Sequence, residues 1–136
     1  MTAKEIILLY LMAAAIFFVI DLLWLGVFAK GFYDRHLGSF LRESVNWPAA
    51  GLFYSIYIAG ILLFVVTPAL QNGDGLLKTA LMGGLLGFFA YATFDLTSLA
   101  LIRGWPVIVV WVDMAWGVLL TGTVSFVSVW LARLLL

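Results

Sequence analysis

The chain has 136 residues, of which 65% are hydrophobic and only 10% are charged, whereas about a quarter of the residues in a soluble domain are charged. This composition predicts an integral membrane protein. Seven Lys and Arg residues balance seven Asp and Glu residues, so we expect no basic surface for nucleic acid. The chain has no cysteine, which excludes disulfides, thiolate nucleophiles and thiolate metal sites.

The apolar runs predict four membrane spans, because a bilayer core about 30 Å thick needs roughly 20 apolar residues per helix. The turn at 71–75, rich in Gly and Asn, and the tight connection at 103–106 separate the later runs. The predicted fold is all-α, a single transmembrane domain over residues 1–136 with four helices in a compact bundle. We expect the spans at about 6–28, 48–67, 76–102 and 107–135.

The second span has a clear predicted start. Asn46 offers a capping side chain, and Pro48 suits a first helical turn. We expect this span to end at Thr67, before Pro68, because proline disrupts a helix interior.

The connection between the first two spans is polar but has a helical pattern. Tyr33 and Leu37 fall near one side of a helix, and Asp34 and Arg42 fall around the other. This pattern predicts a short amphipathic helix in the membrane interface. A solvated loop with anchoring aromatic residues is the alternative.

Three aspartates interrupt the apolar spans, at Asp21, Asp95 and Asp113. An ionisable residue at membrane depth costs a few kcal/mol or more and indicates a functional site by default. Counting about 1.5 Å per residue places all three at one level, roughly 10 Å deep on the side of the connection. The same count brings Tyr54 and Ser55 to this level. We therefore expect four helices to contribute polar groups to one plane.

Helical spacing adds neighbours to these acids. The pattern Asp-x-x-Trp occurs twice, which stacks a tryptophan beside Asp21 and another beside Asp113. Tyr91 and Ser98 share the face that carries Asp95. The candidate ligand- or proton-binding residues are Asp21, Trp24, Tyr54, Ser55, Tyr91, Asp95, Ser98, Asp113 and Trp116.

No Lys or Arg is expected at this level, and three carboxylates cannot all be ionised in a dry site, because like charges repel and burial disfavours charge. Shared protons, a bound cation or water, or an inward-folded Arg35 or Arg103 would each resolve the conflict. His36, the only histidine, is a further candidate on the interface side, although a lone histidine is more often a surface residue. Alternatively, each aspartate hydrogen-bonds a neighbouring helix and only fixes the packing.

No metal site and no cofactor are expected. The sequence contains no phosphate-binding glycine loop, nucleophile elbow or zinc-helix pattern. Carboxylate-only sites suit hard cations, but these usually need more oxygen ligands than the spans supply.

Five segments together carry a family resemblance: DLLWLG at 21–26, VNW at 45–47, YATFDLT at 91–97, GWP at 104–106 and VDMAWG at 112–117. They resemble a family of short bacterial predicted membrane proteins, known only as a domain of unknown function, family twenty-one seventy-seven. The resemblance covers nearly the whole chain. It implies a four-helix, multi-pass protein of the bacterial inner (cytoplasmic) membrane and brings no known activity.

Three functions are open. The first, which we prefer, is binding or transport of a hydrophobic, cationic or amphiphilic small molecule with proton exchange, in which Tyr54 and Ser55 donate hydrogen bonds and Trp24 and Trp116 stack on the ligand. The second is an enzyme that modifies a lipid or isoprenoid, with one aspartate as acid and another as base. The third is a non-catalytic assembly partner whose acids pair with another membrane protein.

Orientation and assembly are left open by the sequence. The bilayer is the expected surrounding partner, and a homo-oligomer is an open alternative by analogy with small multidrug transporters, which are four-span chains but carry one dominant Glu. The positive charges do not decide a positive-inside argument. They lie on one side at Lys4, Lys78 and Arg133, and on the other at Lys30, Arg35, Arg42 and Arg103.

Overall fold

The computed structural model describes residues 1–136, is 85% helical and has no strands. Four helices are long and apolar enough to cross a membrane: span 1 (Ala3–Phe28), span 2 (Trp47–Asn72), span 3 (Leu76–Leu101) and span 4 (Val107–Leu135). They form a compact bundle, so the predicted all-α, four-span fold is confirmed.

The connection between spans 1 and 2 combines both predicted alternatives. Residues Lys30–Leu37 form a short helix, the connecting helix, and residues 38–46 form turns and irregular backbone. Leu37 is buried, and Tyr33 is half-buried. The connecting helix therefore covers one end of the bundle with its apolar side.

Local chemistry explains where the first two spans begin. The Thr2 hydroxyl accepts a hydrogen bond from the Glu5 backbone N–H at 3.2 Å, which satisfies one of the free donors of a helix N-terminus. Asn46 does the same for the backbone N–H of Ala49 at 3.2 Å, with a proline in the first turn as expected. Span 2 ends at Asn72, and the next residue, Gly73, has a φ of 66°, the left-handed conformation that terminates helices.

Span 2 continues past the predicted end at Thr67. A π-helical turn at Leu62–Val66 precedes Pro68, and the backbone N–H of Thr67 bonds to the carbonyl of Leu62. Proline within a regular α-helix clashes with the preceding turn, whereas a π turn widens the helix locally. This widening lets the span extend to Asn72.

Spans 3 and 4 pack most closely, through glycines. A Cβ atom placed on Gly87 would lie 2.8 Å from the Thr121 hydroxyl and 2.7 Å from the Gly117 carbonyl carbon. A Cβ on Gly83 would lie 2.7 Å from Ser125 Cβ. Small residues let helix backbones approach in lipid, where no hydrophobic force drives helices together. The glycines therefore set the distance between these two spans.

The first half of span 2 is separated from span 3. The helix over Trp47–Ile61 has almost no backbone contact with span 3, whereas its later π turn packs against both spans 3 and 4. The apolar core lies in the half of the bundle away from the connecting helix, around Phe17, Ile61 and Leu120, which are fully buried. The other half is left open for a cavity.

We predict that Gly87→Ala destabilises the protein by about 1–3 kcal/mol, because the new methyl group overpacks a contact made by backbone atoms. Gly60→Ala is the matched control, since a Cβ there meets nothing within 4 Å. Thermal unfolding in detergent should show a lower Tm for the first variant and an unchanged or slightly higher Tm for the second. Equal Tm values would contradict the proposed role of the glycine contact.

Candidate functional site

A cavity of about 390 Å³ lies at the end of the bundle that the connecting helix covers. Its lining residues Phe53 on span 2 and Phe94 on span 3 are exposed, and these two helix segments have almost no backbone contact, so the cavity is open between them. The side chains around it are two carboxylates and an aromatic and aliphatic wall: Asp21, Leu25, Tyr33, Phe53, Tyr54, Tyr57, Ala90, Tyr91, Phe94, Asp113 and Trp116.

Asp21 joins three spans. The Tyr54 hydroxyl of span 2 donates to one carboxylate oxygen at 3.0 Å, and the Trp116 indole N–H of span 4 donates to the other at 3.2 Å. The residue is 6% exposed. These two donors hold the Asp21 carboxyl group in a fixed orientation at the edge of the cavity, with one hydrogen bond on each oxygen.

Asp113 is bound by the connecting helix. The Tyr33 hydroxyl donates to one of its oxygens and accepts a hydrogen bond from the Trp24 indole N–H at 3.2 Å. Burial, reinforced by the hydrogen bond to Asp113, raises the pKa of the Tyr33 phenol above its ordinary value. Tyr33 therefore stays a hydrogen-bond donor throughout the physiological pH range.

Asp95 lies behind the cavity wall. It is fully buried, and neither of its carboxylate oxygens has a hydrogen-bond partner. Asp113 and the Trp105 indole lie beside it, and the Trp105 N–H is likewise buried without a partner. Asp95 thus neighbours the cavity through Asp113 without lining it.

Aromatic rings form the rest of the wall. Tyr57 hydrogen-bonds the Thr121 hydroxyl at 2.6 Å and stacks on Phe53 with ring centroids 5.7 Å apart. Trp24 stacks on Trp116 at 4.3 Å with an interplanar angle of 8°. The two tryptophans therefore contact each other, and only Trp116 lines the cavity.

The family described as "Predicted membrane protein (DUF2177)" matches residues 6–130. The chain belongs to this family. No curated protein and no solved structure matches the chain. Family membership confirms the sequence resemblance and an integral membrane protein of unknown function.

The structure brings together most of the residues that depth counting and helical spacing selected in this DUF2177 member. Asp21, Tyr54, Tyr91, Asp113 and Trp116 line the cavity. Trp24 supports it from outside through its stacking on Trp116 and its hydrogen bond to Tyr33.

Two selected residues point elsewhere. The Ser55 side chain is exposed and donates to the Gly51 carbonyl at 2.8 Å. The Ser98 hydroxyl is buried and donates to the Phe94 carbonyl at 2.8 Å. Depth along a helix gives the level of a residue, but its direction rotates by about 100° per position, so Tyr54 faces the cavity and Ser55 does not.

The interface-side candidates stay outside the cavity. Arg35 and Arg103 are exposed. Neither forms an ion pair with an aspartate; the two ion pairs in the chain are Lys30–Asp34 and Lys78–Asp74. The His36 Nδ1 atom lies 2.9 Å from the Phe32 carbonyl oxygen within the connecting helix. The structure contains no group of three or more metal-ligating residues in suitable geometry.

Tyr33 and Tyr57 are site residues that sequence reasoning missed. Tyr57 follows Tyr54 by three positions, and that helical spacing on one face could have found it. Tyr33 had no such signal, since it bonds to a residue 80 positions away.

We predict that Tyr33→Phe destabilises the protein by about 1–2 kcal/mol, because Asp113 loses its donor and Trp24 loses its acceptor. Tyr91→Phe is the matched control, because the Tyr91 hydroxyl makes no hydrogen bond with another side chain or the backbone, and it should have little effect. Since the pKa of Tyr33 is raised in the folded state, its stabilisation is complete below about pH 10 and is lost only at more alkaline pH. Thermal unfolding of both variants from neutral to alkaline pH tests this, and equal Tm values at neutral pH would contradict it.

Proposed function

We propose that this protein binds a hydrophobic organic cation in the cavity and releases a proton in exchange, either to hold the cation or to transport it. The observation that carries this proposal is the combination of two carboxylates with a wall of tyrosine, phenylalanine and tryptophan rings around one cavity. Each part has a separate physical role in recognising such a ligand.

The carboxylates make the cavity attractive to positive charge. Asp21 and Asp113 accept hydrogen bonds from phenol and indole donors but form no ion pair. No Lys or Arg side chain lines the cavity. A cation entering this space would meet negative charge that no protein group has already neutralised.

The aromatic wall suits a cation with apolar substituents. The faces of Trp and Tyr rings attract cations, and this attraction strengthens when water is excluded. A volume of about 390 Å³ lies within the range of small-molecule sites, which is roughly 300–1,000 Å³. The cavity is therefore large enough for an ammonium group carrying an aromatic or branched alkyl group.

The opening of the cavity indicates the route of entry. Phe53 on span 2 and Phe94 on span 3 lie at the divergence of the two helices and are 48% and 58% exposed. Exposed phenylalanines on a membrane span face lipid. An amphiphilic ligand could thus enter from the bilayer.

The lateral opening also favours a second function, an enzyme that acts on a lipid or isoprenoid with the aspartates as acid and base. No Ser, Thr, Cys, Lys or His side chain lines the cavity, so the aspartates and the tyrosine hydroxyls would have to supply any acid, base or nucleophile. Comparing lipid extracts from cells with the wild type and Asp113→Asn tests it, and identical lipid profiles would count against it.

We also propose the inner membrane of a bacterium as the location. This rests on the resemblance to short bacterial membrane proteins, together with the four spans. A homo-oligomer and an assembly role with another membrane protein are weaker proposals, because the carboxylates already have partners or a cavity within one chain.

We predict that the purified protein binds benzyltrimethylammonium and does not bind neopentylbenzene, its uncharged isostere of the same shape. Asp113→Asn should weaken cation binding by about tenfold or more, or about 1.4 kcal/mol, because the cavity loses a charge but keeps its shape. Quenching of tryptophan fluorescence measures both affinities.

Asp34→Asn is the matched control, because Asp34 is an exposed carboxylate on the connecting helix that pairs with Lys30. It should leave the affinity unchanged. Equal affinity for the cation and its neutral isostere, or equal loss in both variants, would show that the carboxylates do not recognise charge.

A further inference from the structure

We propose that Asp95 is a proton-binding residue behind the cavity, and that binding of a cation beside Asp113 releases the proton that the Asp95–Asp113 pair holds. This inference deepens the proposed function and rests on it for the coupling step. The assignment of the proton to Asp95 stands on the geometry of the buried carboxyl group itself.

The burial of Asp95 indicates that its carboxyl group is neutral. Its side chain is 0% exposed, and both oxygens lack a hydrogen-bond partner. Taking an ionised carboxylate out of water without donors or a counter-ion carries a desolvation penalty of many kcal/mol, so such a group is neutral instead. A neutral Asp95 carries one proton.

No group that faces Asp95 offers it a positive charge. Asp113 faces it from span 4, the Trp105 indole from the turn before span 4, and the Tyr33 phenol from the connecting helix. None of these groups is cationic. Two adjacent carboxyl groups cannot both be ionised in a dry site, so the pair holds a proton.

Asp113 lies between Asp95 and the cavity. Asp113 lines the cavity, whereas Asp95 lies behind it. A cation bound in the cavity would offset the charge of Asp113 and thereby weaken the hold of the pair on its proton. The pair then holds one proton when the cavity is empty and none when a cation occupies it, and the released proton leaves through the cavity to water.

The proton can be observed without any ligand. The infrared carbonyl band of a protonated carboxylic acid should be present at pH 7 in the detergent-purified wild type, where ordinary exposed carboxylates are ionised. We expect this band to be retained in the control Asp34→Asn and lost in Asp95→Asn. A wild type without the band, or an Asp95→Asn variant that keeps it, would overturn the assignment.

Two further variants keep this test decisive if Asp95→Asn does not fold. Asp21→Asn and Asp113→Leu leave Asp95 buried and add no donor beside it, so both should retain the band. Loss of the band in either variant would place the proton on that residue instead and overturn the proposal.

The coupling is tested by titration calorimetry with benzyltrimethylammonium in two buffers of different ionisation enthalpy. The wild type should release about one proton per cation, and its affinity should rise with pH by up to about tenfold per unit. Asp95→Asn should still bind the cation, but without proton release and with an affinity independent of pH. Equal proton release in both would overturn the coupling.

Cation binding in the cavity and the proton site at Asp95 are tested separately. If the wild type binds no cation but shows the infrared band that Asp95→Asn lacks, the proposed function is wrong and the coupling step falls with it, while the proton site at Asp95 stands. If the cation binds without proton release and no band is seen, the proposed binding function stands and the role of Asp95 is wrong.

Discussion

The close contact between spans 3 and 4 determines where everything else can lie. Glycines at 83, 87 and 117 remove the side chains that would hold the two backbones apart, and in lipid such contact replaces the hydrophobic force that packs helices in water. A Cβ on Gly117 would lie 2.9 Å from Tyr91 Cβ, so this glycine also makes room for a cavity ring. Span 2 has no equivalent glycine contact with span 3, and its first half diverges. One tight pair and one loose pair of helices leave a cavity at a defined end of the bundle.

The three intramembrane aspartates occupy three different environments, and this difference gives the site its chemistry. Asp21 has a donor on each oxygen, Asp113 has a phenol and an open side towards the cavity, and Asp95 has no partner. Asp21 and Asp113 accept hydrogen bonds from neighbouring helices, so part of their role is to hold those helices together. A packing role does not explain Asp95, because an unpartnered buried carboxyl group stabilises nothing.

The connecting helix completes the site from outside the bundle. Its Tyr33 reaches Asp113, and the stacked Trp24 and Trp116 rings bring the end of span 1 against span 4. Trp24 begins a π-helical turn at Trp24–Phe28, a local geometry that is common at functional sites. The cavity is therefore built from all four spans and from the segment between the first two.

Much of this protein follows from its sequence alone. The composition and the lengths of the apolar runs were enough to predict an integral membrane protein with four spans, because few other structures are stable in a bilayer for so apolar a chain. Counting along each helix also brought Asp21, Tyr54 and Asp113 to one level, since helical rise is constant. The same counting could not separate Tyr54 from Ser55, whose directions differ around the helix.

The tertiary structure alone decided which groups meet. Asp95 was expected to share one site with the other two acids; in the structure it is fully buried beside Asp113 and is not among the residues that line the cavity. Tyr33 binds Asp113 across 80 positions of sequence, and Pro68 lies within span 2 because a π turn accommodates it. These outcomes depend on the rotation and separation of whole helices, which packing sets and which no local pattern of residues contains.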